Sequence, residues 1–445
     1  MNMNATSFSN NNTVNTSDRR SFIKTSSLGA LGILSHPYLV SRQAAKYNAV
    51  LIGSGWWGTN ILREAIRSGT IRITALCDVD DAQLKKCKEE VNRLCSDQPK
   101  IYKDYRDCIV KEKPQIVICA TPDHWHALVA IEALNHGAHV FLEKPISHTV
   151  LEGAAIFKAA RNNNRICIVD FHRRYSPHNV SGQQFLKSGK VGAIKEVKAF
   201  VQYNWGPGKK EEQPAVPAGL DWNMYCGPAA LVAYNPSMHP RGWRQYRNFG
   251  NGQLGDWGPH WFDQILWWSE EKAPKTIYSS WTLGGRESLA DTPTTQTVVY
   301  QFDSFNVTWD HSVFNPHPEK KSENVGVYFY GTEGTFHMGW QKGWTFYPSD
   351  SKKEIIHQDP QMDKPDDQNI KLVWADFIKS IQSGQLPHAD IAHGRAATNM
   401  ALLGMLSAQI GRSIQWDDAN NKIINDIEAN ALLKREYRGE WKYPG

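Results

Sequence analysis

Residues 47–78 read YNAVLIGSGWWGTNILREAIRSGTIRITALCD, and the order of residue types in this stretch decides the fold. Ala49-Val50-Leu51-Ile52 is a short apolar run suited to a strand buried on both faces. Gly53-Ser54-Gly55-Trp56-Trp57-Gly58 follows at once, and then Ile61, Leu62, Ala65 and Ile66 recur with helical period. A second apolar run ends on Asp78, about 20 residues beyond Gly58. Strand, glycine turn, helix, strand and acid in this order predict a dinucleotide-binding unit. Gly53 permits the tight turn, Gly55 lets a diphosphate approach the backbone, and Gly58 lets the helix pack close to the strand. The helix N-terminus then offers N–H groups and partial positive charge to the phosphates. A glycine-rich structural turn is the competing reading, and it leaves the acid at that distance without a reason. Asp78 also predicts NAD over NADP, because its carboxylate accepts ribose hydroxyls and repels a 2′-phosphate, and no arginine follows in Val79-Asp80.

On the N-terminal side, residues 1–17 are rich in Asn, Ser and Thr and are expected to be disordered. Arg19-Arg20 before Phe22, Ile23 and Lys24, then a weakly apolar run at 28–34, has the pattern of a twin-arginine export signal. Paired arginines at the start of a structural helix are the alternative. Export predicts a periplasmic or secreted protein that meets a membrane only through an uncleaved signal. On the C-terminal side, helical patterns at 81–94, 126–136 and 152–161 alternate with apolar strands at 115–120, 139–142 and 166–169. Such alternation winds a doubly wound parallel sheet, a Rossmann domain, with helices on both faces. Alternating strands at 195–203, 295–302, 307–311 and 325–330, with helices at 370–383, 394–407 and 432–440, then predict an α+β domain with an open, mainly antiparallel sheet. The expected division is 1–45 for tail and signal, 46–170 for the Rossmann domain and 171–445 for the second domain. Residues 204–255, dense in Gly, Pro and Trp, form a loop region of a length that is usually functional.

Composition narrows the function classes. The 445 residues are 41% hydrophobic and 21% charged, a globular profile, with no apolar run near the roughly 20 residues a spanning helix needs. The net charge of +5 is spread along the chain, so no basic stripe points to nucleic acid. Seven cysteines show no CxxC spacing and are expected as buried free thiols, and no histidine spacing supports a metal site beyond His124-Trp125-His126. The chain has 17 tryptophans, many between Trp205 and Trp281. They suit either a core or a cleft in which indole faces stack on sugars, and both readings stay open.

Four motifs in order carry a family resemblance: Gly53-Ser54-Gly55-Trp56-Trp57-Gly58, Ala120-Thr121-Pro122-Asp123-His124-Trp125-His126, Glu143-Lys144-Pro145-Ile146, and Asp256-Trp257-Gly258-Pro259-His260-Trp261-Phe262-Asp263. Together they resemble the Gfo/Idh/MocA oxidoreductases, from about residue 47 to the C-terminus. The resemblance implies that Lys144 is catalytic and touches the cofactor, with Glu143 beside it, and that Thr121, Pro122 and His126 belong to the cofactor loop; His124, a local feature of that loop, is a further cofactor-binding candidate. Asp123 stands where the family usually has Asn. Asp256 and His260 match the pair that faces the substrate, Arg173 is a candidate cofactor contact, and Arg174 a candidate substrate contact. The second domain would bind substrate and, through its sheet, form a homodimer or homotetramer.

Hydride chemistry suits these groups. Oxidising a secondary alcohol needs a base for the hydroxyl proton while hydride leaves carbon for a nicotinamide. Lys144 could serve if burial or positive neighbours lowered its pKa, and His260 could serve if Asp256, one helical turn away, fixed its tautomer by a hydrogen bond. The competing readings are a strand-end surface lysine and a satisfied core histidine. Tyr203, Arg241, Trp243, Arg244, Tyr246 and Trp257 are candidate sugar contacts. The sequence thus predicts an exported oxidoreductase acting on a ring hydroxyl of a sugar or glycoside with tightly held NAD. A glycosidase that oxidises C3 transiently and eliminates the aglycone is the first alternative, and a non-catalytic sugar or nucleotide sensor the second.

Overall fold

A computed structural model describes residues 46–202, 214–284, 289–314, 323–361 and 369–444. The twin-arginine segment and Tyr203 lie outside the described residues. The chain begins with β1 (Tyr47–Ile52), α1 (Trp56–Arg67), β2 (Ile71–Cys77), α2 (Asp81–Leu94), β3 (Lys100–Tyr102), α3 (Tyr105–Glu112), β4 (Ile116–Cys119), α4 (Asp123–Asn135), β5 (His139–Leu142), α5 (Val150–Asn162) and β6 (Cys167–Val169). These strands pair in the order β3-β2-β1-β4-β5-β6, all parallel. The order reverses between β1 and β4, so the turns that leave these two strands splay apart and open a crevice at their C-terminal ends. The central strands are apolar throughout because helices cover both faces, and Ala49, Val50, Leu51, Val117 and Ile118 are fully buried.

Several boundaries differ from the sequence reading. The helix expected from 126 begins at Asp123, directly after Pro122, so the Thr-Pro motif is the turn that launches α4. β3 and α3 carry too few periodic residues to stand out in the sequence. The helix expected at 432–440 does not form. Instead this segment is irregular, and Arg435 and Tyr437 reach the fully buried carboxylate of Glu152 at 3.1 and 2.7 Å.

After a short 3-10 turn at His172–Tyr175, the second half contains α6 (Pro177–Lys187), β7 (Ile194–Gln202), α7 (Trp222–Cys226), α8 (Gly252–Ser269), β8 (Thr276–Thr282), β9 (Thr295–Gln301), β10 (Asn306–Ser312), β11 (Val325–Gly331), β12 (Gly334–Gly339), β13 (Trp344–Pro348), β14 (Ile356–Gln358), α9 (Ile370–Ser383), α10 (Ile391–Ile410), β15 (Ile414–Asp417), β16 (Lys422–Ile423) and α11 (Ile427–Ala431). Ten strands form one open sheet in the order β14-β13-β12-β11-β7-β10-β9-β8-β15-β16. Only β7 and β10 run parallel to each other, and the other described pairs are antiparallel. Along β9 every second side chain is buried, the signature of one covered face. α8 and α10 provide that cover, and α10 also touches α5 and β6. The N–H of Ile146 donates to Thr398 Oγ1 at 3.2 Å, which fixes the strand end carrying Lys144 against α10.

Candidate active site

The crevice above β1 and β4 is a cavity of about 500 Å³ whose lining includes the glycine turn, Asp78, Thr121, Glu143 and Lys144. The turn has the shape a diphosphate needs. Gly53 sits at φ +93°, and a Cβ there would lie 2.5 Å from the Ala120 carbonyl, while one on Gly58 would lie 2.1 Å from the Gly53 oxygen. A Cβ on Gly55 would meet no atom within 4 Å, so this backbone faces open space. No side chain caps α1 at Gly55 and no acid stands in its first turn, which leaves the helix N-terminus for an anion. Asp78 accepts from the N–H of Ser54 at 2.7 Å and of Asp80 at 3.0 Å. Burial raises its pKa and these two donors oppose the rise. Each carboxylate oxygen keeps a lone pair for a ribose hydroxyl. These groups fit NAD.

At the far end of the crevice, Trp57 Nε1 donates to Glu143 Oε1 at 2.5 Å, and the other Glu143 oxygen accepts the Lys144 N–H at 3.2 Å, so the turn and the Glu-Lys-Pro motif are directly joined. Lys144 Nζ donates to Asp256 Oδ1 at 2.7 Å and to the Asp256 carbonyl at 3.0 Å. Arg244 Nε lies 3.0 Å from the same Oδ1. Burial opposes ionisation of Asp256, but Arg244 and Lys144 hold its pKa well below the usual carboxylate range. Lys144 thus enters the cavity from β5, braced by a carboxylate on α8.

The expected Asp256–His260 hydrogen bond is absent, because Arg244 and Lys144 already claim the carboxylate. His260 is buried one helical turn on, outside the cavity lining, with Nδ1 unpartnered among the described residues. Its ring centroid lies 4.9 Å from that of His172 and 5.2 Å from that of Trp340. Burial, then Lys144 and Arg173, push its pKa well down, so the ring is neutral at pH 7.

Several other candidates are positioned away from the cavity. His124 Nε2 lies 2.9 Å from the Tyr225 carbonyl. The His126 ring nitrogens lie 2.7 Å from the Pro145 carbonyl and 2.8 Å from the Thr121 carbonyl, tying the two motif loops together. Neither ring lines the cavity, so both support the cofactor loop from behind. Arg173 donates to the Trp340 carbonyl at 2.8 Å with its guanidinium 3.4 Å over that ring. Arg174 is not a substrate contact in this fold: its guanidinium grips Asp263 at 2.8 Å inside the protein. Trp257 packs edge-on against Trp340, and Trp222, Trp243 and Trp261 are buried, so among the described residues the tryptophan-rich region mainly builds core. Trp243 still contributes to the cavity wall, beside Arg241 and Arg244. Tyr246 is buried, its hydroxyl 2.5 Å from Ser237 Oγ.

Sequence reasoning missed the role of Arg244 as a partner of Asp256, the pairing of His172 with His260, and the pairing of His239 with Asp80 at 2.8 Å. No local pattern signals these, since each joins residues distant in sequence.

The comparisons agree with this architecture. A model for the oxidoreductase family, NAD-binding Rossmann fold, matches residues 47–171, and one for the oxidoreductase family, C-terminal alpha/beta domain, matches residues 189–443. The chain belongs to the Gfo/Idh/MocA oxidoreductase family, and its cofactor is NAD. Glycosyl hydrolase family 109 protein 2 of Shewanella sp. strain ANA-3 is 29% identical over 148 residues, 32% of either chain. The chain therefore spans about a third of the length of that curated relative. Among solved structures, aldose-aldose oxidoreductase from Caulobacter crescentus complexed with glycerol has a TM-score of 0.64 at 15% identity, covering 84% of this chain and 100% of that one. Levoglucosan dehydrogenase in complex with NADH and levoglucosan has a TM-score of 0.64 at 17% identity, covering 83% and 99%. At these identities the two structures speak for the fold.

Proposed function

We propose that this protein is an exported dehydrogenase that moves hydride between a ring hydroxyl of a sugar or glycoside and tightly held NAD, giving a keto-sugar. The observation that carries the reading is Lys144 Nζ, at the nucleotide cavity and held at 2.7 Å by Asp256. NAD, when bound, accepts the hydride that leaves the carbinol carbon. Lys144, in the form whose Nζ has first given up its extra proton, takes the hydroxyl proton during oxidation and returns it during reduction. Asp256 and Arg244 keep the Lys144 side chain in one place, so little ordering is left for the moment of transfer. The buried ring of His260 is neutral, so the positive charge next to Lys144 comes from Arg244 on the shared Asp256 carboxylate.

Export rests on Arg19-Arg20 and the apolar run that follows. Outside the cytoplasm free NAD is scarce, so a protein sent out folded would keep its nucleotide and recycle it between a donor sugar and an acceptor. The open sheet of the second half is proposed as the face of a homodimer or homotetramer, to be checked by sedimentation. Fractionating cells that express Arg19→Lys/Arg20→Lys tests export; unchanged location of the variant would count against it.

A second reading, glycoside cleavage through transient C3 oxidation and elimination, is favoured by the likeness to the Shewanella glycosyl hydrolase. One experiment separates the two. The protein is purified without added nucleotide, its bound NAD is measured by mass spectrometry, and a glycoside panel is scored separately for keto product and freed aglycone. Keto product, reduced about 10²–10⁴-fold in Lys144→Met, supports the dehydrogenase. Aglycone release without net reduction of an acceptor would replace it with the glycosidase.

A further inference from the structure

The segment between β7 and α8 follows the Rossmann half in sequence, yet part of it is fastened across the β2–α2 turn of that half. The Asp81 N–H donates to the Gly219 carbonyl at 3.0 Å, and the Asp221 N–H to the Val79 carbonyl at 3.0 Å. His239 Nε2 stands 2.8 Å from Asp80 Oδ2. From this anchorage the chain continues through Arg241, whose guanidinium lies 5.3 Å over the ring of Trp56, the first residue of α1. Both side chains line the cavity.

Of the cations lining the cavity, Arg241 and Lys86 make no ion pair among the described residues, and of these two Arg241 is the one over α1. Arg244 is paired with Asp256, Arg63 with Glu90 and Lys103 with Asp81. Arg241 is exposed and makes no ion pair among the described residues. It therefore presents an uncommitted planar cation beside a helix N-terminus that has neither a capping side chain nor an acid in its first turn. A guanidinium is suited to two-pronged contact with a phosphate, and stacking on an indole restricts it without using its N–H groups.

We propose that Arg241 binds the diphosphate of NAD, and that residues 219–241 act as a strap from the second half of the chain that retains the nucleotide. This replaces the sequence-based reading of Arg241 as a sugar contact. The inference rests on the NAD assignment and is independent of which sugar, if any, is oxidised. For the nucleotide to leave, the Arg241 contact must break, and the strap resists the accompanying displacement through its anchorage on Val79, Asp80 and Asp81.

The test uses the full protein stripped of nucleotide, and calorimetric titration with NAD, ADP-ribose and adenosine. ADP-ribose keeps the diphosphate and adenosine lacks it. Arg241→Gln is expected to weaken NAD and ADP-ribose about 10–100-fold, to leave adenosine unchanged and to flatten the salt dependence of NAD binding. Arg241→Lys, which keeps the charge and loses the fork, should fall between. Unchanged melting temperature of the nucleotide-free variants establishes that folding is intact, as the exposed position of Arg241 leads one to expect. Equal NAD affinity in wild type and Arg241→Gln would overturn the proposal, with or without a rise in sugar KM. Failure of the wild type to bind NAD would overturn the nucleotide assignment itself, and this inference with it.

Discussion

The Arg174–Asp263 pair offers a sharp test, because sequence and structure give its arginine different work. A substrate contact would affect KM. A buried structural pair would affect folding. The side chains are 3% and 1% exposed, and Arg174 Nε and Nη2 both lie 2.8 Å from Asp263 Oδ1. Burial raises the pKa of Asp263 even though Arg174 opposes it, which marks a site where desolvation outweighs attraction. Asp263→Asn leaves the guanidinium buried without its charge partner, a change that costs about 3–5 kcal/mol. At roughly 2–4 °C per kcal/mol, the melting temperature should drop by about 6–20 °C. Removing both charges with apolar residues of similar volume, Arg174→Met/Asp263→Leu, should recover most of that loss. Calorimetry of the three proteins, with substrate KM measured on each, decides the matter. A loss below about 1 kcal/mol in Asp263→Asn, or a large rise in KM in the thermally restored double variant, would refute the structural assignment.

Two further outcomes follow from the glycine turn and the buried histidines. Gly55→Ala should fold as the wild type does and bind NAD more weakly, since its Cβ enters open space at the diphosphate site, whereas Gly58→Ala should lose stability because its Cβ meets the Gly53 oxygen at 2.1 Å. Equal effects in thermal melts and NAD titrations would contradict this. Burial holds His124 at about 3 and His126, His178 and His311 at about 4, against 6.5 for a free ring. Because the folded values are depressed, the unfolded chain binds more protons below about pH 6.5, so stability is full above that pH and declines as pH falls through 6.5 toward 4. Each ring contributes about 1.4 kcal/mol by one pH unit below 6.5, or roughly 6 kcal/mol for the four. Denaturant midpoints that stay level from pH 7.5 to 5.5 would rule this out.

Much of the nucleotide half is legible in the sequence because its signals are local. The strand from Ala49 to Ile52 is apolar on both faces, and the glycines follow within six positions, so the turn declares itself without any distant residue. The Glu-Lys-Pro motif and the Asp256–Asp263 stretch are also contiguous, and α8 does carry the latter as a helix. Less legible were segments whose conformation depends on partners far along the chain. Residues 432–440 have helix-compatible composition, yet Arg435 and Tyr437 gain the buried Glu152 carboxylate only by leaving helical geometry. Arg174 looks like an available cation until Asp263, 89 positions away, is placed against it.

The sequence by itself determined that a parallel sheet with an NAD-type turn precedes an open, mainly antiparallel sheet, and that a lysine follows the strand now identified as β5. These are matters of period, glycine placement and short-range order, which the backbone expresses wherever the segment sits. Only the tertiary structure decided which charges meet. Asp256 could have oriented His260, but the packing of α8 against the turn carrying Arg244, with Lys144 Nζ reaching the same carboxylate, directs it to Lys144 and Arg244. The physical reason is that a buried carboxylate has the lowest energy beside the strongest available cations, and their identity depends on how the two sheets are packed.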